Sequence, residues 1–189
     1  MPNDLNPLIA AAEYNLRKDG DLVTIVVATS PDSTRMVTIP YMGRPGTSER
    51  FRIFYTLGKN LQSLPNLEEV ILVADAWVAE IDKDDRQITE MAREYAGKVA
   101  DLPNASEAIN ISCLDSQGNW RGYVRKYTRD VSLEETTIHF KPPTYDGPHI
   151  KSPILVAVWS GYRGDTLEEA SEQVNKMLAT LTSPEGEQS

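Results

Sequence analysis

Cysteine, histidine and positive charge are scarce in this chain, and each scarcity narrows what it can be. A single cysteine, Cys113, in 189 residues rules out an intramolecular disulfide. A chain of this length buries roughly 70% of the surface its unfolded form exposes, so one domain needs no covalent or metal staple. Its two histidines, His139 and His149, have no adjacent cysteine and no His-Glu-x-x-His pattern, which argues against a zinc site. Nineteen Lys and Arg stand against 28 Asp and Glu, giving a net charge of −9. That field repels a phosphate backbone unless a local basic face overrides it, so nucleic acid is not the expected partner. No stretch reaches the roughly 18 apolar residues of a membrane span. The opening Met1-Pro2-Asn3-Asp4 has neither a basic region nor an apolar core, and a lone cysteine suits a reducing compartment. A cytoplasmic chain is expected. No serine lies in a Gly-x-Ser-x-Gly context, and the glycines form no phosphate-binding fingerprint.

What the sequence does have is a buried strand. Val70 to Glu80 opens too uniformly apolar for a surface strand, then delivers Asp75 and Trp77, with Asp82, Asp84 and Asp85 just beyond. Around it the pattern predicts a helix from Asn6-Pro7 to Gly20, with Asn6 as its cap. A hairpin of Leu22 to Thr29 and Met36 to Tyr41 follows, and then a helix capped by Ser48 that ends before Pro65. Ile88, Met91, Ala92, Tyr95 and Val99 suit a helix from Gln87 to Ala100. Ala108 to Leu114 and Trp120 to Thr128 flank Asp115-Ser116-Gln117-Gly118-Asn119 as a second hairpin, and Thr136 to Phe140 reads as a strand. Lys141 to Pro148, rich in proline, reads as irregular. Ile154 to Trp159 has the composition of another central strand. A capping box around Gly164 to Glu168 opens a last amphipathic helix. Hairpins mixed with crossovers predict an α+β fold. A mixed, mostly antiparallel sheet is packed by three or four helices in a single domain over 1–181, with a disordered tail over 182–189.

Two constellations carry candidate chemistry. Asp75, Glu80, Asp82, Asp84 and Asp85 have the oxygen ligands that Mg²⁺ and Ca²⁺ select. An EF-hand beginning at Asp82 needs Gly and Glu where Gln87 and Arg93 stand, and a nuclease Glu-x-Lys motif meets Asp82 where its lysine belongs. The alternative is a solvated acidic loop before a helix start. Asp75 shares a strand face with Val73 and Trp77, and so is either a partly buried acid of raised pKa or an edge residue with an arginine partner. The second constellation is Arg121, Tyr123, Arg125, Tyr127 and Arg129 on one strand face. Such a ladder stacks on bases, grips phosphates, contacts a partner protein, or pairs with the chain's own acids.

The turn Lys18-Asp19-Gly20-Asp21-Leu22 into a strand and the later strand end Ala74-Asp75-Ala76-Trp77 resemble small uncharacterised prokaryotic and phage α+β proteins. The likeness runs from about Arg17 to Tyr127. It implies no activity and carries over no catalytic residues, and Asp75 stands where that group has Glu.

The expected function is a binding or assembly module using the Arg/Tyr face, with Arg121, Tyr123, Arg125, Tyr127, Arg129, Asp75 and Trp77 as binding residues and no metal or cofactor. A homo-oligomer or a protein partner is expected, since most soluble oligomers are symmetric copies of one chain. The competing class is a metal-assisted hydrolase built on Asp75, Glu80 and the Asp82, Asp84 and Asp85 cluster, with His139 or His149 carrying protons. Nucleotide or nucleic-acid binding is the third.

Overall fold

The computed structural model describes residues 4–43, 48–79, 99–102, 104–132, 135–142, 145–148 and 150–182. Helix α1 (Asn6–Asp19) has Leu5 rather than Asn6 at its cap, and the Asp4 carboxylate accepts from the Asn6 N–H at 3.0 Å. It stops at Gly20, whose φ of 69° is a left-handed turn that glycine adopts without a Cβ clash. Strands β1 (Thr24–Ser30) and β2 (Ser33–Ile39) form the first hairpin around a two-residue turn, Pro31-Asp32, so β2 starts earlier than its turn-like first residues suggest.

Helix α2 (Ser48–Leu61) precedes β3 (Glu69–Val78), the apolar strand. Glu80 and the cluster of Asp82, Asp84 and Asp85 lie outside the described residues, as does most of the expected Gln87 to Ala100 helix, whose last two residues open a short 3-10 turn, Val99–Asp101. Strands β4 (Ser106–Asp115) and β5 (Trp120–Val131) make the second hairpin, where the Asp115 carboxylate accepts from the N–H groups of Gln117 and Asn119. Strand β6 (Thr136–Phe140) follows. The proline-rich stretch is not wholly irregular, because Tyr145–Asp146 form a short β7 paired with Tyr123 and Val124. Its prolines flank this pair in sequence and so deny it no ladder donor.

One expectation is overturned. Ile154 to Trp159 belongs to helix α3 (Pro153–Arg163), not to a central strand. Leu155, Ala157, Val158 and Trp159 are all buried, and a helix apolar nearly all round has the same composition as a buried strand. The punctuation decides it, with Pro153 in the first turn and Gly164 at φ 83° closing the end. Helix α4 (Leu167–Thr182) starts at a capping box. The Thr166 hydroxyl accepts from the Glu169 N–H, and the Glu169 carboxylate accepts from the Thr166 N–H.

The strands form one sheet in the order β2-β1-β3-β4-β5-β6, with β7 also on β5, and every pairing is antiparallel. This is the expected α+β class. Val26, Ala28, Val70, Leu72 and Leu114 pack on one face against α2 and α3 through Phe54, Leu61, Leu155 and Val158. On the other face Ile71, Val73, Ile109, Ile111, Tyr123 and Tyr127 meet α1 through Ala12 and Leu16. The Arg/Tyr ladder therefore lies under α1.

Candidate functional site

Alternation along β5 places Arg121, Tyr123, Arg125, Tyr127 and Arg129 on the face that α1 covers, and each arginine meets an acid from outside β5. Arg121 pairs with Glu69 at the start of β3, and the Glu69 carboxylate also accepts from the Cys113 thiol at 3.0 Å. Burial, reinforced by Glu69, pushes that thiol up to about 12, so Cys113 behaves as a small apolar core residue.

The middle rung is Arg125. Its guanidinium pairs with Glu13 of α1, its Nε donates to the Lys141 carbonyl at 3.0 Å, and it lies over the Phe140 ring at 4.9 Å. The Tyr123 hydroxyl donates to the same Glu13 carboxylate at 3.1 Å. Arg17 stacks on Phe140 at 4.8 Å. These contacts hold α1 to the sheet by charge as well as by Ala12 and Leu16.

The third rung gathers the most groups. Arg129 donates to Asp75 on β3 at 2.6 Å, to Glu107 on β4 at 2.8 Å, to the Tyr127 hydroxyl oxygen at 2.7 Å, and to the Gly20 carbonyl that closes α1. The Tyr127 hydroxyl in turn donates to Asp75 at 2.7 Å. Burial raises the Asp75 pKa, with help from Glu107 and Asp21, although the Tyr127 hydrogen bond and the Arg129 charge pull the other way. Burial and the neighbouring Asp75 also raise that of Tyr127. Of the two alternatives open for Asp75, the described geometry contains features of both: partial burial and an arginine partner.

Trp77 lies on the same face and is 49% exposed, level with Glu107 across the β3–β4 register. The rungs are thus saturated inside the molecule, while the sheet end beyond α1 shows the Trp77 indole to solvent.

The other candidates do not converge here in the described residues. His139 is exposed on β6 opposite Thr128, and His149 lies outside the described residues. Among the described residues no three His, Cys, Asp or Glu side chains are grouped to hold a metal ion. An open cleft of about 490 Å³, lined by Ser48, Glu49, Arg52, Ile53 and Thr56, runs along α2 on the opposite side of the sheet.

Glu13, Glu69 and Glu107 complete the rungs, and sequence reasoning missed them. The signal was present. Glu69 continues the alternation of Ile71, Val73 and Asp75, Glu107 that of Ile109 and Ile111, and Glu13 falls on the helix stripe between Ile9 and Leu16. No family model, curated protein or solved structure matches this chain.

Proposed function

We propose that this chain is a binding or assembly module that makes contact through the open end of its Arg/Tyr face. The observation that carries this reading is Trp77, half-exposed beside Asp75, Glu107 and Arg129. Trp and Arg dominate the contact energy of protein interfaces, and an indole set on a rigid sheet loses little conformational freedom when a partner buries it. Arg121, Arg125 and Arg129 act as a platform in this reading, because their charges are already committed to Glu69, Glu13, Asp75 and Glu107. A second copy of the chain is the simplest partner.

The test is sedimentation velocity on the wild type and on Trp77→Ala. The reading predicts a wild-type mass above the monomer that the substitution lowers, with the far-UV spectrum unchanged. An equal mass in both contradicts it.

One observation favours the hydrolase reading, namely the raised pKa of Asp75, which general acid or base work requires. Its bonds to Tyr127 and Arg129 count against it. A rise in melting temperature with Mn²⁺ that EDTA reverses and Asp75→Asn abolishes would favour this second reading. For a nucleic acid, retention on a DNA or RNA resin would fall steeply with salt.

A further inference from the structure

Among the described residues, strand β2 is an unpaired edge of the sheet. β1 holds it from Ser33 to Ile39, and nothing among the described residues pairs with its outer side. Five of its seven side chains are exposed, Met36 by 61%. Soluble proteins usually blunt such an edge with proline, lysine, a bulge or a very short strand. β2 has none of these. Its only charged residue, Arg35, donates to Ser63 on its own chain at 3.0 Å.

We propose that this edge is covered by β2 of a second copy, paired antiparallel about a two-fold axis at Met36. The hairpin geometry selects the groups that take part. A two-residue turn makes Ser30 and Ser33 a hydrogen-bonded pair, and alternation then directs the N–H and C=O of Thr34, Met36 and Thr38 outward. Charge and proline select the register. Centring on Arg35 sets the two Arg35 side chains against each other, which is unfavourable. Centring on Val37 sets Pro40, which has no N–H, opposite the outward groups of Thr34. Centring on Met36 avoids both. It places Met36 against its own copy, Thr34 of each chain against Thr38 of the other, and Arg35 against the uncharged Val37, so no like charges stand directly opposite. The pairing rests on the assembly reading only in naming a second copy, and it uses a different strand from Trp77.

Met36 is mostly exposed, so Met36→Lys and Met36→Glu leave the fold intact, which far-UV circular dichroism checks. In sedimentation velocity each variant alone sets like charges across the axis and loses the contact, so its mass falls below the wild type's. An equimolar mixture of the two sets opposite charges there and restores the wild-type mass. Two variants that both keep the wild-type mass, or a mixture that recovers none of it, overturn the proposal. Trp77→Ala separates the two surfaces. If it lowers the mass while the Met36 variants do not, the Trp77 reading stands and the β2 pairing falls. The reverse pattern leaves β2 as the contact, and a wild type that is monomeric at every concentration overturns the β2 pairing as well.

Discussion

At Arg129 one guanidinium group joins β3, β4 and the closing turn of α1 through Asp75, Glu107 and Gly20. Removing it leaves two carboxylates facing each other in a partly buried space without a counter-charge. Arg129→Gln is expected to cost about 1–3 kcal/mol in urea unfolding, the usual cost of leaving such groups unsatisfied. A loss within error of zero would mean that water replaces the guanidinium freely. Asp75 gives a signed pH effect. Its pKa is higher folded than unfolded, so it contributes stability at low pH that is lost as pH rises from the ordinary carboxylate value of 3.8 through its raised folded value. Unfolding free energies of wild type and Asp75→Asn should therefore diverge in favour of the variant across that interval and run parallel above it. A constant difference across the interval would contradict the assigned environment. Cys113 should label with a thiol reagent orders of magnitude more slowly in the native protein than in urea, since both burial and its high pKa remove the thiolate. Labelling at the free-thiol rate would contradict its burial against Glu69.

The elements show where sequence reading works and where it stops. Hairpin β4–β5 is legible because Asp115 to Asn119 is turn chemistry between alternating runs, and that alternation also places the five Arg and Tyr residues on one face. Ile154 to Trp159 is not legible by composition, because a helix buried on all sides has no polar stripe to reveal its period. The partners Glu13, Glu69 and Glu107 escaped because a sequence gives a face for each element but not which faces meet. Helices α2 and α3 meet through glycine. A Cβ on Gly58 would stand 2.0 Å from the Val158 carbonyl oxygen, and one on Gly161 would stand 2.1 Å from that of Tyr55. Helix propensity favours Ala over Gly by about 1 kcal/mol, whereas overpacking costs about 1–3 kcal/mol even where side chains can yield. Here backbone is struck, so Gly58→Ala and Gly161→Ala should each lower the urea midpoint. A raised midpoint would show that the helices cross farther apart.

Across the whole molecule, one face of the sheet is closed by α2 and α3 and the other by α1, held by the Glu13 to Arg125 pair as well as by packing. The ladder is thereby turned inward, and the proposed contact falls to surfaces that α1 does not reach. Among them are the Trp77 end and the outer side of β2, which no described residue pairs. The net charge of −9 works against close approach of two copies at low salt. Added salt should therefore strengthen self-association, the opposite of the salt response expected for a phosphate-binding face. The most direct measurement is sedimentation velocity of the wild-type chain across micromolar to millimolar concentration at moderate salt. Assembly predicts a mass that rises with concentration toward a whole multiple of the monomer, whereas a single monomeric species at every concentration would contradict it.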